Sequence, residues 1–201
     1  MDTISLLHIR QSLPLLSQTP PSWVDVVMGD LNGFLADHAS CERKAHAAAM
    51  MMVTRFPEYP VLQDTMISLA IEELQHFQQV FRLLRERGMH LGLDEVDCYV
   101  KELMKHVRHP REDHLLDRLL AAAVAEARSC ERFCLLVDAL PAGYLKTFYL
   151  EFSMAESRHV PLFVDTAKLI FGEDKTKTAL DRWLTLESEI MLSLPLRAGV
   201  H

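Results

Sequence analysis

The sequence predicts an all-α protein built around four long helices. Apolar residues recur at the three- and four-residue spacing of a helix face along the 201-residue chain. No segment alternates apolar and polar residues in the way that a half-buried β-strand requires. The glycines and prolines that end helices are far apart, so the four main helical stretches are about 25–30 residues long, well above the average helix.

The first half of the chain contains two of these helices, joined by a turn with the sequence FPEYP. Ser22 and Asp25 form a capping box, and a helix is predicted from there over residues 23–55, looser near its first two glycines. The second helix is predicted over residues 61–87 and ends at Gly88, which suits the left-handed conformation that follows many helices.

The second half contains the other two long helices and two shorter ones. Asp94 is expected to cap a short helix that ends near residue 107, where the sequence HPR follows. Long helices are predicted over 112–139 and 142–171, with Leu-Pro between them, and a last helix over 174–193. Pro161 lies inside the fourth long helix and should kink it just past His159, which would open space there or serve only the packing.

The connections between these helices predict their topology. Short turns join the first long helix to the second and the third to the fourth, so each pair should form an antiparallel hairpin. The connection between the hairpins is long and has a helix of its own. Two hairpins with such a crossover define the ferritin-like variant of the four-helix bundle, here with additional helices in the crossover and at the C-terminus. We expect one ferritin-like domain over residues 1–201.

The same acid–imidazole pair occurs twice, as Glu73 with His76 and as Glu156 with His159. Residues three apart share a helix face, and apolar neighbours put both pairs toward the core. A carboxylate in that position needs a compensating charge. The first pair has Glu42 31 residues upstream, on the preceding helix of its hairpin.

Two acids on the third long helix could complete the second pair. Glu126 precedes Glu156 by 30 residues and has apolar neighbours, whereas Glu131 precedes it by 25. The tetrapeptide SCER at 40–43 recurs at 129–132 and would instead match Glu131 with the acid of the first hairpin. Spacing and helix face favour Glu126, and the choice between the two acids stays open at this point.

Four carboxylates and two imidazoles on four antiparallel helices are the ligand set of a carboxylate-bridged di-iron or di-manganese site. Oxygen and neutral nitrogen donors suit these metals, and the absence of a C-x-x-C motif disfavours zinc and iron–sulfur sites. Two divalent ions would balance the four carboxylates. His38 and His46 flank Glu42 by one turn and are expected to support the ligands or to fill the core. The predicted ligands are Glu42, Glu73, His76, Glu126, Glu156 and His159.

The charge and hydropathy of the chain bear on nucleic-acid binding, membrane insertion and secretion. A net charge of −7 argues against non-specific nucleic-acid binding, although a local basic segment occurs within residues 101–111 and is either a solvated helix end or a binding surface. The longest apolar stretches are too short to span a bilayer, and the N-terminus lacks the pattern of a secretory signal, so a cytoplasmic protein is expected. The basic residues of the segment are Lys101, Lys105, Arg108 and Arg111.

Several longer motifs resemble one bacterial family over nearly the full length of the chain. These motifs are DHASCERKAH at 37–46, EELQHF at 72–77, EARSCERF at 126–133 and AESRHVPLF at 155–163. They resemble the tRNA 2-methylthio-N6-isopentenyladenosine hydroxylase family, whose members have a ferritin-like fold. The Glu-x-x-His pairs alone would indicate only the wider ferritin-like superfamily.

The resemblance implies an O2-dependent di-iron monooxygenase that hydroxylates the isopentenyl group of the modified adenosine at tRNA position 37. The six predicted ligands would hold two iron ions, with iron favoured over manganese, and a reductase would supply two electrons. The basic segment, together with Arg82, Arg85 and Arg87, would then contact the anticodon loop. A ferritin-like peroxidase or ferroxidase without a tRNA substrate is the alternative, and a metal-free interaction module is disfavoured by its six buried titratable groups.

Overall fold

A computed structural model describes residues 3–201, with side chains from Leu6 onward, so residues 1 and 2 of the predicted domain lie outside it. Every regular element in that range is an α-helix. No helix among the described residues is both long enough and apolar enough to cross a membrane. The helices are α1 (Thr3–Ser12), α2 (Ser22–Gly29), α3 (Leu31–Arg55), α4 (Pro60–Glu86), α5 (Cys98–Lys105), α6 (Arg111–Ala139), α7 (Tyr144–Glu156), α8 (His159–Phe171) and α9 (Glu173–Ser193).

The chain divides into two compact units, of which one comprises residues 25–97 and 196–200. Its centre is the α3–α4 hairpin that the sequence predicts. The predicted end of α4 is confirmed: Gly88 has φ +72°, and Met89 N donates to Leu84 O at 2.9 Å across the cap.

The predicted first helix over 23–55 is wrong in one respect, because it is two helices separated at Asp30. The Asp30 carboxylate caps α3 by accepting a hydrogen bond of 2.9 Å from Gly33 N, and this cap requires a non-helical backbone at Asp30. A side chain at Gly33 would collide with that carboxylate, so the glycine permits the cap.

The predicted start of the crossover helix is also wrong. Helix α5 begins at Cys98, and Asp94 does not cap it. Instead the Asp94 carboxylate accepts hydrogen bonds from the side chains of Ser40, at 2.7 Å, and Arg43 on α3. A carboxylate that is occupied by another helix cannot satisfy the first amides of its own.

Among the described residues, the other unit comprises 3–24, 98–195 and 201. Helix α6 packs against α7, α8 and α9 there, and α5 packs against α9. Helix α1 also contacts α6. The sequence analysis does not predict this helix.

The predicted fourth helix over 142–171 is interrupted at Ser157 and Arg158, one turn before the expected kink at Pro161. The proline has no N–H to donate to the carbonyl of Ser157, and its ring crowds that same carbonyl. The helix therefore breaks at the carbonyl rather than at the proline, and Pro161 sits in the first turn of α8, where its missing N–H costs nothing.

Candidate metal centre

The α3–α4 hairpin buries one cluster of two carboxylates and one imidazole. His76 Nδ1 lies 3.6 Å from Glu42 Oε2 and 3.6 Å from Glu73 Oε2. All three residues are buried, although two of the three carry carboxyl groups. The hairpin thus brings three of the predicted ligands close together.

Helical spacing explains why these polar side chains reach the interior. Glu42 follows buried Leu35 and Ala39 on the inner face of α3, and Glu73 follows buried Leu69 one turn along α4. His38, one turn before Glu42, places its Nε2 2.9 Å from Glu42 Oε1 and so orients that carboxylate. The other flanking histidine has a structural contact, since His46 Nδ1 lies 2.8 Å from Ala70 O on α4.

Helices α6, α7 and α8 form a second cluster of the same composition. His159 Nδ1 lies 3.0 Å from Glu156 Oε2 and 3.7 Å from Glu126 Oε2. Glu156 is the last residue of α7 and His159 is in the first turn of α8, so the interruption at residues 157 and 158 falls between them. The pair that looks like an uninterrupted helical motif in the sequence is therefore presented by two helix ends.

The two candidate acids of α6 point to different surroundings. Glu126 is next to His159, as described above, and its side chain is 15% exposed. Glu131 is buried and accepts hydrogen bonds from Thr19 N at 2.9 Å and from Thr19 Oγ1 at 2.6 Å, and it pairs with Arg128. Glu131 thus belongs to an ion-pair network that the sequence analysis did not anticipate.

The donor sets of both clusters fit a metal such as iron or manganese. If two donor atoms each lie about 2.1 Å from one ion, the two donors can be at most about 4 Å apart. The distances between the donor atoms here are 3.0–3.7 Å. Each cluster supplies two carboxylates and one imidazole, the oxygen and nitrogen donors that these metals accept. A bound cation would also compensate two buried negative charges in each cluster.

The cysteines of α6 do not add a thiolate to the second cluster. Cys130 and Cys134 are free and buried. The hydrogen bond with Cys134 and the burial of the thiol raise the pKa of Cys130, and neither cysteine is among the donors grouped around His159. The donors of this cluster remain oxygen and nitrogen.

The predicted basic segment spans the end of α5 and the start of α6. Lys101 and Arg111 are exposed, and Lys105 Nζ lies 2.6 Å from Glu102 Oε1 at the surface. Arg108 is bound more firmly, because its Nε and Nη2 donate to the two oxygens of Asp117 at 2.8 and 2.9 Å. Arg108 is partly exposed, but its hydrogen bonds with Asp117 give it a structural role.

Asp117 gives a testable pH dependence. Burial opposes its charge, but hydrogen bonds from Arg108 and from Trp183 Nε1 outweigh that effect and lower the pKa of the carboxyl below its ordinary value of 3.8. The ionised carboxylate thus contributes stability above about pH 4 that is lost as the pH falls through the lowered pKa. We expect Asp117→Asn to reduce the free energy of unfolding most at neutral pH, with a deficit that narrows in acid. Urea unfolding at several pH values measures this, and a deficit that is independent of pH would contradict it.

Comparison with known structures places the fold in a class. The chain is similar to a solved structure described as protein 43 with aldehyde deformylating oxygenase activity from Synechococcus. The TM-score is 0.87 and the sequence identity 32%, and the match covers 93% of this chain and 94% of the other. The prediction of an all-α, ferritin-like fold is confirmed by this likeness. The fold and the two carboxylate–histidine clusters together define a ferritin-like protein that is compatible with a di-iron site.

The family described as tRNA-(MS[2]IO[6]A)-hydroxylase (MiaE) matches residues 6–201. The chain belongs to this family, as the motifs predicted, and is thus an enzyme of the tRNA hydroxylase class. Two similar proteins are each named tRNA 2-(methylsulfanyl)-N(6)-isopentenyladenosine(37) hydroxylase. The one from Pseudomonas putida is 37% identical over 141 residues, which are 70% of this chain and 68% of the relative. The one from Salmonella typhimurium is 36% identical over 141 residues, which are 70% of this chain and only half of the relative.

Proposed function

We propose that this chain is a di-iron monooxygenase that hydroxylates the isopentenyl group of 2-methylthio-N6-isopentenyladenosine at position 37 of tRNA. The observation that carries the proposal is the buried carboxylate–histidine cluster, found twice in a chain of the tRNA hydroxylase family. The proposed ligands of two iron ions are Glu42, Glu73, His76, Glu126, Glu156 and His159.

The proposed reaction converts a C–H bond, O2, two electrons and two protons into a C–OH group and water. Two bound iron ions would supply the activation of O2, and a reductase in the cytoplasm would supply the electrons. The residues of the chain would bind the metal and limit access of water, since five of the six proposed ligands are buried. His38 would hold the Glu42 carboxylate in place through its contact of 2.9 Å.

The direct test of the reaction uses iron-loaded, chemically reduced protein with O2 and tRNA that carries the modified adenosine. Mass spectrometry of the digested tRNA should detect the gain of one oxygen atom on that nucleoside. If O2 is consumed while the nucleoside stays unchanged, the tRNA hydroxylase proposal is wrong. An aldehyde should be included as a second substrate, because the similar Synechococcus protein is described as having aldehyde deformylating oxygenase activity.

The basic segment is the proposed contact for the anticodon loop, through Lys101, Lys105, Arg108 and Arg111. We expect the double charge reversal Lys101→Glu with Lys105→Glu to weaken tRNA binding and to lower the slope of log Kd against log salt by about two. These two lysines are suited to the test because they are exposed, whereas the loss of Arg108 would also remove its bonds with Asp117. Equal affinity and slope for the variant and the wild type would exclude the segment from the interface.

A further inference from the structure

The second half of α4 carries a ladder of planar side chains on its outer face. Phe77 and Phe81 are stacked, with ring centroids 5.9 Å apart and an interplanar angle of 24°. The Arg85 guanidinium lies over the Phe81 ring, 6.0 Å from its centroid. These three residues are four positions apart and therefore share one helix face, which we call the α4 ladder.

The ladder is accessible and locally basic. Both rings are half-buried and Arg85 is exposed, so part of each side chain is accessible to a ligand. Residues 82–90 contain three arginines and one glutamate, which gives a formal charge of +2 in a chain whose net charge is −7. Arg82 lies beside the ladder and donates a hydrogen bond of 3.0 Å to Gln78 Oε1, a neutral acceptor.

The ladder begins next to a proposed metal ligand. Phe77 directly follows His76, and the nine-residue separation between His76 and Arg85 corresponds to about 14 Å of helix. Stacked nucleotides are about 3.4 Å apart along a strand, so a loop with one base at the metal would bring its neighbours within reach of the ladder.

We propose that the α4 ladder is a stacking platform for unpaired bases of the anticodon loop. Phe77 and Phe81 would offer their rings to bases that flank the target adenosine, and Arg85 would extend the stack while Arg82 contacts a phosphate. Single-stranded RNA is recognised in this way by aromatic rings and arginine planes that lie beside positive charge. The inference rests on the proposed function, because it takes tRNA as the substrate.

The charge of the ladder favours RNA over a second copy of the chain. Exposed Ile67, Ile71 and Leu74 continue the same face toward the start of α4, and a self-association surface could use them. A symmetric contact centred on the ladder, however, would bring arginines of two copies together. Phosphate groups would instead be attracted to them.

The test uses an anticodon stem-loop with the fluorescent base 2-aminopurine next to position 37. We expect wild-type protein to quench this base, and Phe81→Leu to reduce the quenching and to raise Kd about tenfold, the low to middle range for the loss of one base–aromatic stack. Phe81→Leu keeps the apolar volume and removes the ring. The matched control is Ile67→Leu on the same helix, which should leave Kd and quenching unchanged.

Three further variants separate stacking from charge. Arg85→Ala should raise Kd through the lost plane, and Arg82→Ala should lower the salt slope by about one. Arg85→Lys should keep the slope and lose only affinity. Melting temperatures establish that the variants are folded. Unchanged Kd and quenching in both Phe81→Leu and Arg85→Ala would overturn the proposal. So would a change in oligomeric state on Phe81→Leu at unchanged affinity, which would assign the face to self-association.

The hydroxylation assay distinguishes this inference from the proposed function. Wild-type protein that hydroxylates tRNA while Phe81→Leu binds RNA normally would refute the ladder and keep the enzyme. Wild-type protein that binds the stem-loop through the ladder but adds no oxygen would keep the ladder and refute the hydroxylase. Wild-type protein that does not bind the stem-loop would overturn the ladder, and the assay on full tRNA would then decide the function by itself.

Discussion

Glu126→Ala is expected to lower the iron content of the protein from two ions per chain toward one and to reduce tRNA hydroxylation by at least about a hundredfold. Removal of a residue that only supports a ligand already costs 10- to 100-fold in many metal sites, and Glu126 is proposed as a ligand itself. Its side chain is 15% exposed and its partner is His159, so the substitution should cost little stability. Iron analysis, single-turnover hydroxylation and the melting temperature give the three readouts.

Glu131→Gln is the matched control on the same helix. Glu131 is bonded to Thr19 and Arg128, so we expect the variant to keep two iron ions and to lose about 1.5–3 kcal/mol of stability from hydrogen bonds to a charged group. Glu126→Ala should therefore lose iron with little change in stability, whereas Glu131→Gln should lose stability and keep its iron. Loss of iron in Glu131→Gln, with normal iron in Glu126→Ala, would reverse the assignment of the ligand on α6.

The second large effect is expected for Arg128→Met, which should lower the free energy of unfolding by about 3–5 kcal/mol. Arg128 is fully buried, and its Nε and Nη2 donate to the two Glu187 oxygens at 2.8 and 3.0 Å. Nη2 also donates to Ser17 O at 3.0 Å, and Nη1 pairs with Glu131. These hydrogen bonds outweigh the effect of burial and raise the pKa of Arg128 above its ordinary value. Methionine would leave both acids without this cation.

The neighbouring Arg132 does not replace Arg128. Burial, together with the adjacent charge of Arg128, lowers the pKa of Arg132 to about 10, so the side chain remains charged at neutral pH. Its guanidinium lies over the Trp23 ring, 5.3 Å from the centroid, rather than in the bidentate position at Glu187. We therefore expect no compensation within the folded protein.

Arg43→Met is the control for Arg128→Met. Arg43 pairs with Asp94 at the surface, where the two side chains are 40% and 50% exposed, and such pairs contribute about 1 kcal/mol or less. Calorimetry should show a fall in Tm of roughly 10 °C for Arg128→Met and only a small change for Arg43→Met. A small change in both would mean that the buried network is not a major source of stability.

The secondary structure was predictable where a local pattern controls it. The end of α4 at Gly88 was predicted because a left-handed glycine is a local requirement. The starts of α3 and α5 were predicted incorrectly, because two aspartates act over different distances. Asp30 caps a helix three residues away, whereas Asp94 is bound by side chains more than 50 residues earlier. Helical periodicity in the sequence does not indicate which groups either aspartate side chain binds.

The pairing of acids and histidines was predictable for a similar reason. Three-residue spacing puts Glu73 beside His76 on one helix, and hairpin geometry brings Glu42 level with them. For Glu156 and His159 the same spacing indicated the right neighbours but the wrong backbone. The break between them comes from Pro161, which acts on the carbonyl of Ser157, four residues before it.

The sequence by itself determined the helical fold class, the family and the residues proposed to bind metal, because these depend on periodicity and on motifs that are local in the chain. Only the tertiary structure decided the surroundings of the two acids on α6. Glu126 and Glu131 differ by five residues and both look suitable in the sequence. Their separation depends on Thr19 and Arg128, which bond to Glu131, and on His159, which lies next to Glu126. Contacts between residues so far apart in the chain depend on tertiary packing, which helical spacing in the sequence does not indicate.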